Sequence, residues 1–172
     1  MTGFVPDPSQ AAAIDLALSS RVMVLTGGPG TGKTSTLVEI LRGWGEARVG
    51  PVVLCAPTGK AAKRMTEQTG RPASTIHRLL LMDGSPLGTA GVVVVDEASM
   101  VDTLLMARLC AAVPDGCRLL AVGDVDQLPS IGAGQVLRDL IGSGAVPVAR
   151  LTQIHRQSDN SWIAVNAARI RD

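Results

Sequence analysis

Short runs of β-branched and aliphatic residues recur along the chain, at Val22–Thr26, Pro51–Ala56, Val92–Val95, Arg118–Val122 and Val148–Leu151. They are nearly continuous in apolar residues rather than alternating, which is the pattern of strands covered on both faces. Between them lie helix-patterned segments, Lys33–Arg42, Gly59–Thr69, Asp102–Val113 and Gly134–Ile141. Each is followed by a breaker: Gly43, Gly70, Pro114 or Gly142. Strands and helices in alternation predict βαβ units and a mainly parallel five-stranded sheet with helices on both sides. Ser74–Leu81 reads as a short extra helix and Trp162–Ile170 as a closing one. No repeat or internal linker interrupts the rhythm, so residues 1–172 read as a single α/β domain.

Composition narrows the class. The chain is 46% hydrophobic and 18% charged, enough apolar material for a core and too little charge for disorder. The longest stretch without a charged side chain is Gly84–Val95, broken by Gly, Ser and Pro, whereas a spanning helix needs about 18 apolar residues. No membrane span is expected. The opening residues carry no basic and apolar signal pattern, and the three cysteines (Cys55, Cys110, Cys117) form no metal-ligand spacing. Both features fit a cytoplasmic protein. The net charge is only +1, but it is segregated. Lys60–Arg78 carries five cations against Glu67, while Gly91–Asp139 carries seven acids against three arginines. The pattern points to two sites of opposite sign, although such clusters also form plain solvated faces.

Chemistry concentrates where strands end. Gly27-Gly28-Pro29-Gly30-Thr31-Gly32-Lys33-Thr34-Ser35 follows the first apolar run and opens a helix, the context a phosphate-binding P-loop requires. Its glycines let backbone N–H groups face a phosphate, and the helix N-terminus adds its dipole. Lys33 is placed to reach the β- and γ-phosphates of ATP, and the Thr34 hydroxyl to hold Mg2+. Val92–Val95 ends in Asp96-Glu97. Two adjacent carboxylates at the end of a buried strand are costly to desolvate without a cation. Mg2+ accounts for Asp96, and activation of an attacking water accounts for Glu97. Arg118–Val122 leads into Gly123-Asp124-Val125-Asp126-Gln127-Leu128-Pro129. Ligands of open α/β sheets sit beyond the carboxyl ends of strands, so Gln127 can face the same pocket and sense a γ-phosphate; alone, the segment would be a turn.

Taken together, these motifs resemble superfamily 1 DNA helicases, most closely the RecD-like branch, which includes the alpha subunit of exonuclease V and its stand-alone relatives. The resemblance runs from Asp7 to about Arg171. It rests on Ser9-Gln10, Gly27–Thr34, Ala56-Pro57-Thr58-Gly59-Lys60-Ala61-Ala62, Thr75-Ile76-His77-Arg78-Leu79-Leu80, Asp96–Met100, Gly123–Pro129 with Gly132–Gly134, and Leu151 to Arg156-Gln157. It implies a three-layer, RecA-like P-loop NTPase fold for the first motor domain. In that fold the strand carrying Gln127 lies between the P-loop strand and the Asp-Glu strand, bringing Lys33, Glu97 and Gln127 to one phosphate. The resemblance further implies that Gln10 reads adenine and that Arg156 reaches the γ-phosphate. Residue 155, commonly aromatic in the family and able to stack on adenine, is His155 here. Gln10 has a second reading, since Asp7-Pro8-Ser9-Gln10 is also a capping box at a helix start.

By the same resemblance, Pro57, Thr58, Gly59, Lys60, Lys63, Thr75, His77 and Arg78 grip single-stranded DNA along its backbone, where hydroxyls and helix-start N–H groups suit phosphate oxygens. Lys60, Lys63 and Arg64 could instead be the wet face of a helix, and His77 a buried structural histidine. Phe4, Trp44 and Trp162 are the only Phe, Trp or Tyr residues, so DNA is expected to be held by phosphates rather than stacked bases. The leading reading is an ATP-dependent DNA helicase motor domain, 5′→3′ by resemblance. Two alternatives are a nucleotide-binding fragment without unwinding activity and a small P-loop phosphotransferase. The family uses a second RecA-like domain, expected outside these 172 residues, and in some members helicase–nuclease partner subunits.

Overall fold

A capping box starts the first helix, α1 (Pro8–Ser19). The Asp7 carboxylate accepts from the N–H groups of Ser9 (2.7 Å) and Gln10 (3.0 Å), Gln10 Oε1 accepts from Asp7 N–H (3.1 Å), and Pro8 fills the first position. The computed structural model describes residues 4–155. The predicted helix Trp162–Ile170 and Arg156 lie outside them.

After α1 come β1 (Val22–Gly27), α2 (Lys33–Glu46), β2 (Val52–Ala56), α3 (Gly59–Thr69), β3 (Ala73–Thr75), α4 (Ile76–Leu81), β4 (Val92–Val95), α5 (Thr103–Ala112), β5 (Arg118–Gly123), α6 (Val136–Ser143) and β6 (Val148–Leu151). The strands form one sheet in the order β3-β2-β4-β5-β1-β6, with every pairing parallel. Strand β5 therefore lies between the P-loop strand and the Asp-Glu strand, as the resemblance implied. The sheet has six strands rather than the expected five. The addition is β3, a three-residue edge strand paired with β2, which takes Ser74 and Thr75 from the start of the predicted helix Ser74–Leu81.

Residues one apart on a strand face opposite sides of the sheet, and each side has its own helical cover. Met23, Leu25, Val92, Val94, Leu120 and Val122 pack with Ala13 and Ala17 of α1, Leu37, Ile40, Leu41 and Trp44 of α2 and Met65 of α3. On the other side Val24, Val53, Val93, Val95 and Ala121 pack with Ile76 and Leu79 of α4, Leu105, Met106 and Leu109 of α5 and Leu137 of α6. This is the three-layer arrangement. All four valines of β4 are fully buried, each contributing about 1.5–3 kcal/mol of burial free energy. The central strands are thus a rigid base for whatever their ends carry.

Helix α2 overruns its predicted end. Gly43 was expected to stop it, yet it continues to Glu46 because its last turn is anchored. Trp44 is buried and its indole N–H donates to Ala17 O of α1 (3.2 Å), while Gly43 lies against Leu18, where a Cβ would come within 3.0 Å. Helix α6 likewise passes through Gly142 and is closed by Gly144 in the left-handed conformation. Cys55 is a core thiol whose burial pushes its pKa up to about 12. No described helix is long and apolar enough to cross a membrane.

Candidate nucleotide and DNA site at the carboxyl edge of the sheet

Because every strand is parallel, all carboxyl ends meet at one edge, where open α/β sheets bind ligands. There the P-loop turns out of β1. Gly30 (φ +77°) and Gly32 (φ +81°) hold left-handed backbone that a side chain would strain. The Thr31 hydroxyl closes the loop by donating to Gly28 O (2.8 Å), and Gly32 caps α2. Lys33, the first residue of α2, donates to the loop's own carbonyls, Gly27 O at 2.6 Å and Gly28 O at 3.0 Å. The ammonium is therefore held inside the loop, at the rim of a cleft it shares with Thr34, Asp96 and Glu97. Thr34 Oγ1 makes a long 3.5 Å contact to Gln68 Oε1 of α3, while Ser35 is exposed on the first turn of α2. Pro29 is exposed at the loop's tip.

Across the cleft, β4 delivers the two carboxylates with different surroundings. Asp96 is anchored by its N–H to Cys55 O (2.9 Å), and its Oδ1 accepts from Glu97 N–H (2.9 Å). Burial raises its pKa, and the adjacent Glu97 adds to this, against the lowering pull of that N–H bond and of the Arg64 and Lys33 charges. Glu97 has φ +51° and ψ +41°, left-handed backbone that is rare outside glycine. Strained residues of this kind concentrate at functional sites. Its carboxylate is paired with the Arg64 guanidinium of α3.

The turn after β5 is organised by a buried acid. Asp124, 3% exposed, accepts from the Asp126 N–H (3.1 Å) and from Gln127 Nε2 (3.3 Å). Gly123 is required where β5 meets the turn after Glu97, since a Cβ would sit 2.8 Å from Leu137 Cδ2 and 3.2 Å from the N atoms of Ala98 and Ser99. Gln127 itself is exposed and lines a separate recess with Ser99, Gln135 and Arg138. The structure thus gathers Lys33, Thr34, Asp96 and Glu97 into one cleft and sets Gln127 beside it rather than in it.

Gln10 and His155 flank the other side of the P-loop. Gln10 is 1% exposed; besides completing the capping box, its Nε2 donates to Thr31 O at 3.4 Å. The capping reading of Gln10 is therefore realised, and the same amide touches the P-loop. His155 N–H donates to Gly30 O (2.9 Å), and its Nε2 lies 2.6 Å from Asp7 Oδ2. Asp7, chiefly through the Ser9 hydroxyl and also through the Gln10 N–H and His155, is held down at a pKa of about 2.

The predicted DNA-gripping residues occupy the neighbouring end of the same edge. Ala56 pairs in register with Thr75, so the two turns that follow β2 and β3 stand side by side. Thr58 caps α3 by accepting from Ala61 N–H (3.2 Å), and Thr75 caps α4 by accepting from Arg78 N–H (3.2 Å). Pro57 is half-buried, while Gly59, Lys60, Lys63, His77 and Arg78 are exposed. The reading of His77 as a buried structural residue is thereby excluded. Lys63 pairs loosely with Glu67 at 3.9 Å.

Three contributors went unassigned in the sequence: Arg64, Gln68 and Asp124. Arg64 had a signal, since it follows Lys60 by four residues and so shares its helix face.

The model of a family described as AAA domain matches residues 6–172. The ATP-dependent RecD2 DNA helicase of Deinococcus radiodurans is 46% identical over 159 residues, covering 87% of this chain and 21% of that protein. The RecBCD enzyme subunit RecD of Mycolicibacterium smegmatis is 40% identical over 215 residues, covering 99% of this chain and 38% of its own length. The chain therefore spans well under half the length of these relatives. Among solved structures, Pif1 helicase from Candida albicans superposes with a TM-score of 0.74 at 22% identity, covering 98% of this chain and 44% of that one. Bacteroides Pif1 bound to ssDNA superposes with a TM-score of 0.65 at 19% identity, covering 94% and 45%. These two show a shared fold. The chain belongs to the family described as AAA domain, and over most of its length it is similar to part of the RecD2 and RecD helicases.

Proposed function

We propose that this domain binds and hydrolyses ATP and couples the hydrolysis to single-stranded DNA, as the first half of a helicase motor whose second RecA-like domain lies outside these 172 residues. The observation that carries the proposal is the shared cleft, in which one P-loop lysine, one hydroxyl and two strand-end carboxylates converge on the same side of the sheet. Lys33 exchanges its loop carbonyls for β- and γ-phosphate oxygens, and the backbone N–H groups of Gly28–Lys33 and the start of α2 hold the phosphate chain. Thr34 and Asp96 offer hard oxygen donors of the kind Mg2+ takes, and Asp96 is a half-buried carboxylate whose desolvation a cation would offset. When bound, the ion neutralises charge on the phosphates. Glu97 accepts the proton of the attacking water, which then attacks the γ-phosphorus as the bond to the β-bridging oxygen breaks. Gln127 swings from Asp124 to the γ-phosphate, and Arg156 supplies positive charge there. Gln10 and His155, which lie beside Gly32, are read as the adenine contacts.

Single-stranded DNA is read as crossing the turns after β2 and β3, over Pro57, Thr58, Gly59, Lys60 and Lys63 and then Thr75, His77 and Arg78. Polarity is taken as 5′→3′ from the resemblance. The name of the RecD relative, as a subunit of the RecBCD enzyme, supports partner subunits for the protein that carries this domain, read as helicase–nuclease subunits from the resemblance. The test is ATP turnover with and without an oligothymidylate, in the wild type and in Lys33→Ala. Stimulation by the oligonucleotide that disappears in the variant is the expected result. Turnover raised instead by a small-molecule phosphate acceptor would identify a phosphotransferase.

A further inference from the structure

Helix α3 connects the two halves of this site. Its N-terminus, capped by Thr58, opens the stretch read as DNA-contacting, and Lys60 is exposed in its first turn. One turn further, on the same face, Arg64 leaves the DNA side and reaches into the nucleotide cleft, where its guanidinium pairs with the Glu97 carboxylate. The Arg64 side chain is 53% exposed and that of Glu97 17%, so the pair sits at the cleft mouth with the carboxylate as its more buried partner. A carboxylate oxygen already engaged by a guanidinium is a poorer acceptor for a proton from water.

We propose that Arg64 is a positioning residue that holds Glu97 out of use until single-stranded DNA engages the start of α3. The inference rests on the functional reading above. A phosphate bound at Thr58–Lys60 pulls on the first turn of α3. A shift there is carried to Arg64 because residues 59–69 form one continuous helix, so displacement of its first turn moves the next. Released from Arg64, the Glu97 carboxylate is free to accept from the attacking water.

The experiment compares wild type, Arg64→Ala and Arg64→Lys for ATP turnover with and without oligothymidylate, and for oligonucleotide affinity by fluorescence anisotropy. An exposed or half-exposed ion pair supplies about 0.2–1 kcal/mol, so removing it should raise DNA-free turnover by a factor of about 1.4–5. The stimulation by DNA falls by the same factor, with oligonucleotide affinity unchanged. Arg64→Lys keeps the charge but not the planar fork and should fall between. A second readout needs no turnover. A double-mutant cycle of Arg64→Ala with Glu97→Gln, read as melting temperature, should show a coupling of about 1–3 °C that disappears when the oligonucleotide is bound. Unchanged DNA-free turnover, a fall in turnover both with and without DNA, or a coupling that DNA leaves intact would each overturn the proposal. If the wild type binds no oligonucleotide, the functional reading itself fails and this inference goes with it.

Discussion

Replacing Gly32 by alanine tests how the P-loop is held by the element in front of it. Two penalties are visible in the structure. Gly32 has φ +81°, and a Cβ there incurs left-handed strain of about 1–2 kcal/mol. The new Cβ would also stand 2.4 Å from Gln10 Nε2, closer than any real contact allows. Gln10 is 1% exposed and tied to both Asp7 N–H and Thr31 O, so moving it breaks the capping box of α1 and leaves a buried donor unmet. That second loss is worth about 1–3 kcal/mol. At about 2–4 °C per kcal/mol for a chain of this size, the variant should melt about 4–20 °C below wild type. Differential scanning calorimetry measures the drop, and the Gln10→Ala variant supplies the control. Gln10→Ala breaks the same cap and also removes the colliding amide, so the double variant should be destabilised by less than the sum of the two. Additive losses, or a Gly32→Ala variant melting with wild type, would refute the idea that Gln10 and the P-loop share one packed contact.

Glu97→Gln keeps the size of the side chain while removing its basicity. ATP should bind as in wild type while turnover falls by a factor of about 10²–10⁴, checked by calorimetric binding beside a phosphate-release assay. Asp7 gives a pH signature. Its folded pKa of about 2 lies below the ordinary 3.8, so its contribution to stability is fully present above about pH 4 and is lost as the pH falls towards 2. Asp7→Asn retains a capping side chain without the titration, so denaturant melts at a series of pH values should show wild type losing ground to the variant over that interval.

Much of this arrangement was legible because the core dictates it. The four buried valines of β4 and the apolar runs of β1 and β5 read as covered strands, and Gly59–Thr69 was bounded by the breaker Gly70, which closes the helix in the structure. The misreadings occur where a distant contact overrides a local signal. Gly43 reads as a stop, but Trp44 bonded to Ala17 carries α2 through it. Ala73–Thr75 has no strand pattern, and only the free edge of β2 recruits it. The site follows the same rule. Lys33, Thr34, Asp96 and Glu97 were readable because their motifs end strands that the sheet aligns. Arg64 and Gln68 were not, because each acts through a partner elsewhere in the chain, Glu97 and Thr34, whereas Asp124 acts on Gln127 within one turn, a local bond the strand pattern does not report.

The central claim is that the cleft between the P-loop and the end of β4 is a nucleotide site in which Lys33 meets the phosphates. Isothermal titration of Mg-ATP into wild type and Lys33→Ala, with circular dichroism to confirm that both are folded, tests it most directly. Loss of a desolvated charged contact of about 3–4 kcal/mol should weaken binding by about 10²–10³-fold. A folded Lys33→Ala variant that binds Mg-ATP with wild-type affinity would contradict the account.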